Sequence, residues 1–363
     1  MNHFNSTTSQ RPRYSEGFSI VEMMVAMVIS LILLAGIAQI FMSSKQSFTI
    51  QNTLGRQQEN GRYASNVLSQ DLRRTGYWGG NADVSGVTGT EPPIAPAATC
   101  NTGDNTWARM IDRRIFGLNH TETAALGAYA CINDGNGHLS RDVLVMRFAS
   151  PWLVFPTPVT NQRPIENNSR LYIRSSLTIS DEAGRIFKGS DKASSDNDMN
   201  GGAAAPPSER TSELITRAYY IGPSGQTCNG IAVPSLYREE LDTNGRPVAE
   251  EVAYGVDNLQ VRYGLDSIGQ HSITGASCVV KNSATCTGDG SVDVYLDAGS
   301  SGLNEDSEWE QVIAVRYWLL TRAECPETGY TNSNTYTMGD QAYTPNDSFR
   351  RQLYQSIVKL RNI

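Results

Sequence analysis

Residues Phe18 to Met42 form an almost uninterrupted apolar run with one carboxylate inside it, Glu22. As a helix rising 1.5 Å per residue, the run would measure about 37 Å. That is enough to cross a hydrocarbon core of about 30 Å with some tilt. From Ser43 to Arg74 there is no proline, and Ile50, Leu54, Gly61, Ala64, Leu68 and Leu72 recur at spacings of three, four and seven. This apolar stripe predicts that the helix continues, with Gln57, Gln58, Glu59, Arg62, Ser69, Asp71 and Arg73 on its solvent faces. One helix from Phe18 to Arg74 is therefore expected, ended by Thr75-Gly76 and the Gly79-Gly80 pair. Gly36, Gly55 and Gly61 mark points of bending, of close packing, or tolerated surface glycines.

Beyond residue 80 the pattern changes to short runs rich in β-branched and aromatic residues, each bounded by Gly, Pro, Asn or Asp. They cover 143–148, 171–174, 213–221, 231–238, 251–265, 291–296, 311–320 and 352–360. The run 311–320 is apolar on both faces and reads as a central strand. Long polar stretches separate these runs at 79–100, 181–210, 299–307 and 327–348, and 192–208 is low in complexity. The expected fold class is α+β, a long N-terminal helix carrying a mostly antiparallel sheet head.

The chain has 363 residues and a net charge of −7, with no basic stripe. That balance argues against binding nucleic acid through its phosphates. Arg11 and Arg13 precede the apolar run and only Lys45 follows it closely, which places residues 1–17 in the cytoplasm and the head outside. Six cysteines (Cys100, Cys131, Cys228, Cys278, Cys286 and Cys325) form an even set without a Cys-x-x-Cys pair. Disulfides fit an exported head better than zinc does. Six cysteines allow about 15 connectivities. The local pair is Cys278–Cys286; Cys100–Cys131 would clamp the region after the helix, leaving Cys228–Cys325.

Asp196, Asp198 and Asn200, followed by Gly201, match the first half of a calcium loop, but the twelfth position is Pro207 and the bidentate ligand is missing. Asp134, Asn136 and His138 make a poorer candidate. No cofactor is expected, and calcium is left as an open option against a plain acidic loop. His120, His138 and His271 are far apart, and no nucleophile-elbow, zinc-protease or phosphate-loop motif occurs. Asp297, Glu305, Asp306 and Glu308 read as a solvated loop. The expectation is a protein that is not an enzyme.

Three readings of the N-terminus are open: an uncleaved signal anchor, a secretory signal removed near Gly36-Ile37-Ala38, and a leader cut after Gly17. The Gly17-Phe18 step, Glu22 and the solid apolar run resemble the type IV prepilin motif. The resemblance implies a prepilin peptidase that cuts after Gly17 and methylates the new amine of Phe18. It further implies that Glu22 meets the N-terminal amine of a neighbouring subunit, two charges offsetting each other's desolvation. The alternative leaves Glu22 at the membrane edge without a partner. In the C-terminal part, residues 252–264 (VAYGVDNLQVRYG), Val312–Arg316, Arg351 and Val358–Asn362 are similar to PilW-like minor pilins, and in turn to J-type minor pseudopilins. Gln39 stands where many major pilins have a kinking proline, and the head is larger than theirs. Residues 80–250 match nothing.

What the resemblance implies is a cleaved leader (1–17), a transmembrane and assembly helix (18–42), a soluble half of that helix (43–75) and a periplasmic head (76–363). The expected role is a structural minor pilin of the inner membrane that primes pilus assembly and sits at the pilus tip. Its expected partners are other minor pilins, the major pilin, the prepilin peptidase, the inner-membrane assembly platform and a tip adhesin, with no nucleic acid. The alternatives are a minor pseudopilin of type II secretion and, more remotely, a membrane-anchored periplasmic binding module or a hydrolase.

Overall fold

The computed structural model describes residues 17–80, 84, 86–97, 100–122, 129–132, 141–155, 160–176, 184–193, 209–267, 269–271, 277–278 and 286–362. Helix α1 (Ile20–Arg74) is 55 residues long. Contacts divide the chain into two compact parts, one ending at Leu54 and one beginning at Gly55. In the first part every residue from 17 to 49 is exposed, so the apolar run has no cover among the described residues. The helix starts two residues after the expected Phe18.

The second part is built on strands. Nine belong to one sheet: β1 (Val87–Thr88), β2 (Ile115–Leu118), β3 (Val143–Phe155), β4 (Arg163–Pro164), β5 (Leu171–Ser176), β6 (Gly184–Lys188), β7 (Glu209–Cys228), β8 (Ile231–Leu241) and β9 (Pro247–Tyr254). β10 (Val256–Leu265) opens a second sheet, and β11 (Gly269–His271), β12 (Ser277–Cys278) and β13 (Cys286–Gly288) form a small third one. β14 (Val294–Leu296), β15 (Val312–Arg322) and β18 (Arg351–Lys359) return to the second sheet, in the order β14-β10-β15-β18. β16 (Tyr336–Met338) and β17 (Gln341–Tyr343) make a separate ribbon. Among the described residues only the two-residue contacts β1 with β6 and β3 with β4 are parallel; the other pairings are antiparallel.

β15 lies inside its sheet, as its two apolar faces require, with Val315 facing Tyr263 on one side and Val358 on the other. β7 runs for 20 residues and changes partners along its length, from β5 to β3 and then β8. The expected single strand 251–265 is two strands in two different sheets. The break falls at Gly255, whose φ of 74° belongs to the left-handed region that side chains disfavour. Its amide donates to the Pro234 carbonyl and its own carbonyl accepts from the Arg322 amide, so the turn joins the two sheets. The polar stretches also hold elements that were not expected: β1, the β16–β17 ribbon and a short helix α2 (Asp306–Trp309).

One apolar core runs from Ala64, Leu68 and Leu72 of α1 to strands of both large sheets. Gly61 of α1 sits against the Tyr354 ring, which an added methyl group would overlap. The helix ends at Gly76, which takes a φ of 77° and donates its amide to the Arg147 carbonyl. Asn362, near the far end of the chain, donates its side-chain amide toward the carbonyls of Arg73, Arg74 and Thr75 at 3.3–3.4 Å. These are the carbonyls a helix end leaves unpaired, so the C-terminus of the chain caps α1.

Candidate assembly site

At its free end α1 begins with a reciprocal cap. Ser19 precedes the first helical residue, and its hydroxyl accepts from the Val21 amide at 3.3 Å. Glu22 reaches back, its carboxylate accepting from the Ser19 amide at 3.0 Å. The carboxylate half is the one a Ser-x-x-Glu capping box supplies, while the hydroxyl meets the amide one residue earlier than in that box, as an N-cap also does. The Ser19-Ile20-Val21-Glu22 spacing carries this signal; the sequence reading gave Glu22 a partner on a neighbouring subunit and did not expect the local cap. Phe18 is 85 % exposed, and the side chains that follow it, Ile20 to Met42, project from all sides of the helix. The site therefore presents an apolar cylinder, one carboxylate that among the described residues bonds only to its own backbone, and the Gly17-Phe18 step just ahead of the helix.

At the other end α1 is held by polar contacts as well as by its core. Gln57 and Asp71, expected on solvent faces, are 4 % and 2 % exposed. Asp71 accepts two hydrogen bonds from one Arg217 nitrogen at 2.9 and 2.7 Å, and one from the Tyr219 hydroxyl at 2.5 Å. The carboxylate holds the Arg217 guanidinium protonated despite its burial, while burial and the same carboxylate push Tyr219 upward. Gln57 donates to the Thr321 carbonyl at 2.9 Å. The Tyr317 hydroxyl meets the hydroxyls of Ser65 and Ser69 at 2.9 and 2.7 Å. Each of these partners lies on β7 or β15. A carboxylate buried this deeply is tolerated because an arginine and a phenol compensate it.

Residues 218–362 match the family model described as Type IV Pilus-assembly protein W, and residues 12–38 match the prokaryotic N-terminal methylation motif. The C-terminal region of the chain is thus similar to the PilW family, and its N-terminus to the methylated start of pilins. Among solved structures the chain is similar to a type IV-like pilin from Thermus thermophilus, at 12 % identity and a TM-score of 0.30, over 85 % of this chain and 97 % of that one. No curated protein matches it. The PilW-like region begins one residue after Arg217. It contains Tyr219, Tyr317, Thr321, Tyr354 and Asn362, which means that most of the side chains and carbonyls gripping α1 belong to it. The family model starts at residue 218, so it reaches into the stretch 80–250 that the sequence reading matched to nothing and corrects that expectation.

The remaining candidate residues divide by position. Cys100 and Cys131 are bonded to each other, with Cα atoms 5.3 Å apart. Cys228 and Cys325 are likewise bonded, tying the end of β7 to the segment after β15 across 97 residues. The side chains of Cys278 and Cys286 lie outside the described residues, as do Asp196, Asp198 and Asn200, and Asp134, Asn136 and His138. Among the described residues no group of three or more His, Cys, Asp or Glu is placed to hold a metal ion.

The carboxylates read as a solvated loop have structural partners. Asp297 receives two hydrogen bonds from Arg262, at 2.7 and 2.9 Å. Glu305 and Glu308 form the capping box of α2. His120 lies 3.4 Å from the buried Asp142, whose contact raises the imidazole above its ordinary value. Asp142 also accepts the backbone amides of His120 and Val261, so the pair fastens a loop to β10.

Proposed function

We propose that this protein is a minor pilin that inserts in the inner membrane with its head in the periplasm. There it co-assembles with other minor pilins to prime pilus assembly and remains at the filament tip. The observation that carries the reading is the pairing of an uncovered apolar helix, led by Gly17-Phe18 and bearing Glu22, with a PilW-like head that grips only the other end of the same helix. A helix apolar on every side needs lipid or other apolar helices around it. Removal of residues 1–17 would free the amine of Phe18 two positions before the first residue of α1. Glu22, capping only its own backbone, keeps acceptor capacity for the N-terminal amine of a neighbour. Two opposite charges brought together there would relieve the cost of each in an apolar setting.

The large head and the absence of a proline at Gln39 support a specialised subunit over one that repeats along the filament body. The two disulfides support an oxidising compartment for the head. The apt test is the mass of the N-terminal peptide recovered from membranes of cells with and without their prepilin peptidase. The reading expects a methylated Phe18 terminus that vanishes in cells without the peptidase. A terminus at Met1 or near Gln39 in both would overturn it.

A further inference from the structure

Two exposed features of the head meet beside α1 without serving the contacts described so far. The first is a groove of about 550 Å³ along the helix, lined by Arg62, Asn66, Ser69, Gln70 and Arg73 and walled by Tyr354. No carboxylate is among its lining residues. Arg62 and Arg73 make no ion pair with described residues, whereas Arg217, Arg262 and Arg351 each face a carboxylate at 2.7 Å. The second feature is β18, which carries Tyr354. It is the outer strand of its sheet, and among the described residues it pairs only with β15. It is nine residues long, contains no proline, and exposes Ile357 at 54 %. An open edge of that length is a template for another strand, and proteins that leave it uncovered in isolation commonly cover it on assembly.

We propose that the open edge of β18 and the adjoining groove form one docking site, which takes an extended, carboxylate-bearing segment of a different subunit of the same pilus. The backbone of that segment would add to β18. Its Asp or Glu side chains would enter the groove and meet Arg62 and Arg73. Charge decides the kind of partner. This chain is itself acidic, at −7, and subunits of like charge repel. A cationic groove free of internal counter-charges gives an acidic neighbour one favourable orientation. The proposal rests on the pilin reading, and the test separates the two.

A photoreactive benzoylphenylalanine would be placed in the full-length chain at Asn66, at Ile357, or at Leu33 in the apolar half of α1, in cells that make the pilus. Cross-linked peptides would be identified by mass spectrometry. The expected result is that Asn66 and Ile357 both capture one short acidic segment of another pilus subunit. Arg62→Glu with Arg73→Glu should lower both yields about tenfold while leaving the Leu33 cross-link intact. Arg62→Lys with Arg73→Lys, which keeps the charge on the same exposed helix face, should retain them. Four results would overturn the docking site and spare the pilin reading: a Leu33 cross-link without any at Asn66 and Ile357, capture of a segment lacking carboxylates, capture of a second copy of this chain, or yields unaffected by charge reversal. Loss of the cross-links at all three positions in the unaltered chain would overturn both.

Discussion

The two parts of α1 share a backbone and differ in what they do with a carboxylate. From Ile20 to Thr49 the side chains are apolar around most of the circumference and uncovered, and Glu22 has only the Ser19 amide for company. From Gly55 to Arg74 a single stripe is buried, and Asp71 within it is closed in by Arg217 and Tyr219. In the head, the partners that make a buried charge tolerable are supplied by the chain itself. In the apolar half they have to come from outside. A subunit that is complete at one end of its helix and incomplete at the other is suited to assembly.

The largest expected effect comes from breaking the complete end. Asp71→Ala leaves Arg217 buried with Glu240 as its remaining carboxylate, which lies at 2.8 Å. Loss of one partner of a buried pair costs about 3–5 kcal/mol, and the low end applies here because Glu240 stays. Urea unfolding of the detergent-solubilised protein, followed by tryptophan fluorescence, should show it, and an unchanged midpoint would mean that the network does not anchor α1.

A smaller effect sharpens the contrast from within the head. Glu239 on β8 is 2 % exposed, takes a 3.3 Å hydrogen bond from the Tyr220 hydroxyl, and has no ion pair among the described residues. Burial pushes its carboxyl up to about 7. A carboxyl raised in the folded state binds its proton more tightly folded than unfolded, so its contribution is full below about pH 4.5 and is lost as pH rises through about 7. Glu239→Gln should flatten that slope, worth about 2–3 kcal/mol across the window. Urea midpoints measured at pH 4.5 and 7.5 for both forms check it. An equal slope in the two forms would show that Glu239 is compensated by a partner.

Much of this architecture was legible in the chain. The apolar run, the lack of proline to Arg74 and the Gly76 turn define α1, and the doubly apolar run at 311–320 marks an interior strand, found as Val312–Arg322. The polar anchors were harder to read. Ile50, Leu54, Gln57, Gly61, Ala64, Leu68 and Asp71 alternate steps of four and three. Position alone puts Gln57 and Asp71 on the buried stripe; their polarity argued the other way, because the partners that compensate them come from strands more than 140 residues further along. The short strands β2 and β6 were missed because a run of four or five residues gives too little periodicity to separate from a loop. The capping role of Asn362 likewise depends on where the chain end arrives, which no local pattern encodes.

The most direct test of the central claim is co-purification of the chain with other pilus subunits from detergent-solubilised membranes, comparing the natural protein with Glu22→Gln. The account predicts a variant that is inserted, disulfide-bonded and as resistant to urea as the natural protein, yet recovered with those subunits at a small fraction of the natural amount. Equal recovery would contradict it, since the carboxylate would then have no use beyond capping its own helix.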